Sequence, residues 1–185
     1  MERMPEGGLY TYADLETFPD DDNLRREIID GELIVSASPI LRHQRLTGRL
    51  FNALSNHVDR NGGGEVFVGP ADVILSDINV VEPDVLFVAD EQLEILTEKN
   101  IQGVPSLVIE VLSSNPRLDR VRKRDLYARF GVREYWIVDP ESDRVEVYRL
   151  AGSTYGKPEI LEPGETLMFE RLPGLEIDLE KLFAR

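Results

Sequence analysis

With 185 residues, 42% of them hydrophobic and none a cysteine, the chain can bury one globular core but has no disulfide framework, thiolate metal site or thiol nucleophile. Its 21 lysines and arginines face 35 aspartates and glutamates, and the resulting net charge of -14 repels polyanions at long range. No apolar run approaches the roughly 20 residues of a membrane span, and Met1 to Gly8 lacks the basic and apolar regions of a signal peptide, so a cytoplasmic protein with no membrane partner is expected.

Thr11 can cap a short helix between Tyr10 and Phe18, which ends before an acidic turn, Pro19 to Asn23. Two strand-like runs, Arg25–Ile29 and Glu32–Ser36, flank Asp30-Gly31, a strong hairpin signal, with Glu27 on the first strand. Ser38-Pro39 opens a helix whose apolar positions Leu46, Leu50, Ala53 and Leu54 repeat at helical spacing until Asn61-Gly62-Gly63-Gly64 stops it. His43 falls close to that apolar stripe. From Glu65 to Ala89 the pattern changes to short β-branched runs, read most simply as three strands in a meander, the third opened by Pro83-Asp84. Glu91 to Leu96 suggests a helical turn.

The rest of the chain is organised around Pro105–Ser113, an apolar run of strand length that reads as a strand buried on both faces. Glu110 sits in its middle. A carboxylate taken out of water costs several kcal/mol, roughly, unless a cation, a metal or a set of donors compensates it. A candidate follows in the helix-like segment Arg117–Phe130, opened by Asn115-Pro116 and closed by Gly131, where Lys123, Leu126, Tyr127 and Phe130 share one stripe. Lys123 therefore faces inward. Beyond it, Glu134–Asp139 is a further apolar strand, turned at Pro140–Asp143 into the alternating strand Arg144–Arg149, expected to keep one face in water. The C-terminal part suggests one or two short strands and a closing helical turn, without a linker or repeat to mark a second domain.

Asp84 and Glu110 on separate strands of one sheet are hard oxygen donors, and converging carboxylates of this kind bind a divalent cation, magnesium above all. Such an ion lowers the pKa of a bound water and offsets charge at phosphorus during phosphodiester hydrolysis. Glu27 can supply a third carboxylate, and Lys123 can orient the attacking water or neutralise the reacting centre. A structural ion pair between Glu110 and Lys123 is an equally direct reading of those two residues. Two stretches are locally basic despite the overall charge: Ile40–Arg60 has four arginines, among them Arg42 and Arg45, against one acid. Asn115–Glu134 has seven basic residues, among them Arg120, against three acids, so the two segments could form one positive groove for nucleic acid, or be ordinary solvated helix faces.

Taken together, Glu27–Leu33, Pro39 to Gln44, Pro83-Asp84-Val85, Val108–Ser113, Lys123 to Tyr127 and Gly131–Asp139 resemble the Uma-two family of putative restriction endonucleases, within the PD-(D/E)XK nuclease superfamily. The resemblance implies an α/β (α+β) fold, a restriction-endonuclease-like mixed sheet flanked by helices in a single domain over 1–185. Its core would span about 11–150, and residues 151–185 would extend the sheet. It further implies magnesium-dependent (or manganese-dependent) cleavage of nucleic acid, DNA first, with Asp84, Glu110 and Glu27 as the acids and metal ligands. Where the superfamily carries a lysine two residues after the second acid, this chain has Leu112, and Lys123 is the residue that fits instead. His43 matches a position often held by histidine in the family, and with Arg42, Arg45 and Arg120 it is a candidate contact to nucleic acid. Cutting both strands of a duplex usually calls for two sites, which favours a homodimer. The alternatives are a catalytically weak or inactive nuclease scaffold that binds a partner or oligomerises, and hydrolysis of a small phosphorylated molecule.

Overall fold

The computed structural model describes residues 8–19, 24–36, 40–113 and 115–184. Helix α1 (Tyr12–Leu15) starts where predicted, and the backbone N–H and hydroxyl of Thr11 donate to the Asp14 carboxylate at 2.8 and 2.7 Å. Residues 20–23 of the expected acidic turn lie outside the described residues, as does the predicted Ser38-Pro39 helix start. Strands β1 (Arg25–Ile29) and β2 (Glu32–Ser36) form the expected antiparallel hairpin. Both turn residues have positive φ, 53° at Asp30 and 76° at Gly31, which matches the twist that two-residue hairpins need. Helix α2 (Leu41–Asn61) buries Leu46, Leu50 and Leu54, the predicted stripe, together with His43.

The region from 65 to 89 departs from the expected meander. It holds four strands, β3 (Gly64–Val68), β4 (Val73–Ser76), β5 (Asn79–Val81) and β6 (Val85–Ala89). β3 pairs directly with β6, while β4 and β5 form a hairpin that pairs with β1 in another sheet. Two local causes account for this. Pro70 has no N–H to give a ladder, so β3 cannot run on into β4. Ser76 and Asn79 pair across a two-residue turn, which makes strand of a segment that reads as connection.

A tight helical turn, Asp90–Ile95, leads towards β7 (Leu107–Val111), the predicted central strand, every residue of which is buried. A widened turn of π type, Leu118–Lys123, runs into α3 (Arg124–Phe130), and Gly131 ends it at φ 90°. β8 (Glu134–Asp139) lies parallel to β7, and β9 (Arg144–Ala151) is antiparallel to β8. The C-terminal part is richer than expected: β10 (Thr154–Tyr155), β11 (Glu159–Leu161), β12 (Thr166–Met168) and β13 (Glu176–Asp178) precede α4 (Leu179–Phe183).

The main sheet runs β10-β9-β8-β7-β6-β3 with β11 also on β9, the second sheet runs β2-β1-β5-β4, and β12 pairs with β13. This mixed α+β arrangement in a single domain agrees with the fold class expected from the sequence. Side chains alternate across the main sheet. Leu107, Ile109, Val111 and Trp136 pack on one face with the α2 stripe and α4, while Val108, Leu112 and Tyr135 pack on the other with Leu126 and Tyr127 of α3 and Ile29 and Val81 of the second sheet. Cover on both faces explains the unbroken apolar run of β7. It also corrects the expectation for β9, whose outer face is not wet. Glu146 and Tyr148 are buried, because Arg120 pairs with Glu146 at 2.7 Å and the Tyr155 ring lies 5.9 Å from that of Tyr148.

Candidate functional site

Glu110 shares a face with Val108 and Leu112, and so points into the layer between the main sheet and the α3 side. Lys123, 3% exposed, comes down on it from the widened turn. Its Nζ is 2.9 Å from Glu110 Oε1, 2.8 Å from Glu27 Oε1 and 3.8 Å from Asp119 Oδ1. Tyr127, one turn beyond Lys123, donates its hydroxyl to the same Glu110 oxygen at 2.9 Å. Glu27, on the face of β1 shared with Ile29, also accepts the N–H of Glu82 at 2.8 Å. A hairpin, a central strand and a helix thus deliver the three predicted residues Glu27, Glu110 and Lys123 to one buried cluster.

Asp84 adjoins this cluster. Val85 faces Ile109 across the antiparallel β6–β7 pair, and one step further along the same register sets Asp84 opposite Glu110. The contact is direct at the backbone, since Asp84 Oδ2 accepts the N–H of Val111 at 2.8 Å. His43 Nε2 lies 3.0 Å from that oxygen, and Arg25 Nη1 donates to Asp84 Oδ1 at 2.8 Å. Arg25 is itself held by Glu82, through Nε at 3.4 Å from Oε2 and through Nη2 to the backbone carbonyl.

The charges here are unequal in a way that follows from burial. One ammonium cannot compensate three desolvated carboxylates. Burial therefore pushes Glu110 up to about 8 and Asp119 up to about 6, against the pull of Lys123. Burial also works against the charged form of Lys123, but Glu110, Glu27 and Asp119 outweigh it and keep the ammonium well above its ordinary range. Asp84 goes the other way. Its burial is outweighed by the His43 hydrogen bond, the Arg25 charge and the Val111 N–H, which hold it below the usual carboxylate range. Glu82, mainly through burial, is pushed up to about 7.

A cleft of about 810 Å³ opens over Arg25, His43, Glu82 and Asp84, with Tyr12 and Phe18 on its wall. Glu27, Glu110 and Lys123 lie behind this lining. Among the described residues no group of three or more His, Asp or Glu is arranged to hold a metal ion, and the ammonium of Lys123 bridges Glu27 and Glu110 instead. Asp84 and Glu110 nevertheless fit a hard divalent cation in the chemistry of their donors and in their facing positions where β6 begins to pair with β7. Of the candidate nucleic-acid contacts, His43 is buried on Asp84. Arg42 is engaged by the Pro140 carbonyl and the Asp143 carboxylate, and Arg120 by Asp139 and Glu146. Arg45 is exposed on α2, and neither it nor Arg42 nor Arg120 is brought to the cleft. The basic residues that do line it are Arg25, Arg26, His43 and Lys99.

Sequence reasoning passed over Arg25, Glu82, Asp119 and Tyr127. Spacing could have found them: Asp119 and Tyr127 flank Lys123 at four residues on either side, Arg25 shares a strand face with Glu27, and Glu82 stands two residues before Asp84. The sequence profile of the Uma2 family, described as putative restriction endonuclease, matches residues 10–180, a span that contains all of these positions. The chain belongs to the Uma2 family. Its fold is shared by the crystal structure of a putative nuclease belonging to DUF820 from Anabaena variabilis ATCC 29413. The two chains align with a TM-score of 0.77 at 20% identity, over 94% of this chain and 97% of the other. A search of curated proteins finds no match.

Proposed function

We propose that this Uma2 protein is a divalent-metal-dependent endonuclease that hydrolyses phosphodiester bonds of nucleic acid, DNA in the first place. The observation that carries the reading is the facing pair of Asp84, immediately before β6, and Glu110 on β7, backed by Lys123 and Glu27 and opening at Asp84 onto a cleft. Asp84 and Glu110, with Glu27 as the third acid, would hold Mg²⁺, or Mn²⁺ in its place, which supplies an acidified water and neutralises charge at phosphorus. The chain's own groups prepare the site. Arg25, His43 and the Val111 N–H keep Asp84 ionised. Tyr127 and Lys123 fix the Glu110 carboxyl from the α3 side, and Lys123, always charged, orients the attacking water. Hydrolysis then places the water oxygen on phosphorus and its proton on the departing sugar oxygen.

The test is calorimetric titration of Mg²⁺ and Mn²⁺ into wild type and Asp84→Ala, followed by plasmid nicking at low salt with wild type and Glu110→Gln. Cation heat should vanish in Asp84→Ala, and nicking should fall at least about a hundredfold in Glu110→Gln. A wild-type protein that nicks no DNA with either metal overturns the reading. Cleavage of both strands would call for a two-fold homodimer, read by sedimentation equilibrium. A cytoplasmic setting, where DNA is at hand, completes the proposal.

A second reading is favoured by one observation: the acids already meet internal cations, Arg25 on Asp84 and Lys123 on Glu27 and Glu110. On this reading the scaffold is a binding or oligomerisation module, as the net charge of -14 also suggests. Its signature would be no cleavage by wild type together with a loss of about 3 kcal/mol or more in Glu110→Ala.

A further inference from the structure

Arg25 is the cation paired with Asp84 where the site meets the cleft. Its side chain is 23% exposed, lines the cleft, and donates from Nη1 to Asp84 Oδ1 at 2.8 Å, whereas the Asp84 side chain is 5% exposed. The other Asp84 oxygen is taken by His43 at 3.0 Å and the Val111 N–H at 2.8 Å. Asp84 itself lines the cleft, and Oδ1 is the oxygen that Arg25 holds. A divalent ion that binds this oxygen competes with the guanidinium for it, because two cations at such a distance repel in a partly desolvated site.

We propose that Arg25 is the resident counter-ion of Asp84, one that a divalent cation displaces, and that the freed guanidinium then takes a backbone phosphate oxygen of the nucleic acid in the cleft. The inference rests on the nuclease reading and goes beyond it by naming a phosphate-contacting group and the order of events. Two features of the geometry support the exchange. The guanidinium is anchored on its outer side by Glu82, through Oε2 at 3.4 Å and the backbone carbonyl, so release from Asp84 leaves it tethered at the cleft. Its planar fork also suits two oxygens of a phosphodiester as well as it suits a carboxylate.

The experiment titrates Mn²⁺ into wild type, Asp84→Ala, Arg25→Met and Arg25→Lys by calorimetry, with circular dichroism to verify folding. The same proteins are then titrated against a short DNA duplex by fluorescence anisotropy in Ca²⁺. Loss of the competing charge should tighten Mn²⁺ binding by Arg25→Met about tenfold or more while weakening duplex binding about tenfold. Arg25→Lys keeps the charge but not the fork, so its cation affinity should lie between the two, a comparison that stands even if Arg25→Met does not fold. Cation affinity unchanged or weaker in both Arg25 variants overturns the inference. Failure of the nuclease reading looks different, since wild type and Asp84→Ala would then titrate alike.

Discussion

Lys123 is a single ammonium serving Glu27, Glu110 and Asp119, and that ratio governs how the site responds to substitution and to pH. Lys123→Met leaves buried carboxylates without a cation, and urea unfolding should show a loss of about 3–5 kcal/mol. The pH response follows from Glu110. Its folded value of about 8 exceeds the ordinary 4.5, so between those values the folded chain holds a proton that the unfolded chain has released. Stability therefore falls as pH rises from about 4.5 to about 8 on this account, and is level above. Glu110→Gln carries no titrating proton, and chemical denaturation across that window should show the fall reduced. Asp139 acts in the opposite sense: held down to about 2, with Arg120 and Ser142 outweighing its burial, it contributes stability above its usual 3.8 that is lost as pH falls towards 2.

The widened turn Leu118–Lys123 matters because it brings both Asp119 and Lys123 inward before α3 resumes a regular path. Gly131 then stops α3 in the left-handed region, at φ 90°, with no atom within 4 Å of where a Cβ would lie. Gly131→Ala should consequently lose only the conformational term, about 1–2 kcal/mol by thermal or urea unfolding. Gly64, where β3 meets β6, differs. A Cβ there would run into the Val88 carbonyl and the Phe87 ring at a φ of 151°, so Gly64→Ala should cost more than Gly131→Ala in the same assay. The ordering of the two variants checks that close strand packing, more than backbone freedom, fixes glycine at the sheet edge.

Across the whole molecule, a net charge of -14 opposes any polyanion, and the cations at the cleft are few. Duplex binding should accordingly be confined to low ionic strength, with affinity falling about tenfold or more between 50 and 200 mM salt in an anisotropy titration. Local spacing was enough to read the Asp30-Gly31 hairpin, the α2 stripe, the buried strand around Glu110 and the inward turn of Lys123, because each depends on residues only a few positions apart. The second sheet and the covering of Glu146 could not be read that way, nor could the hold of Arg25 and His43 on Asp84. Arg25 and Asp84 stand 59 residues apart, and the hairpin of β4 and β5 leaves the main sheet for a strand formed far upstream. Those contacts come from how layers stack to bury apolar faces, a choice made by the assembled chain and carried by no single segment.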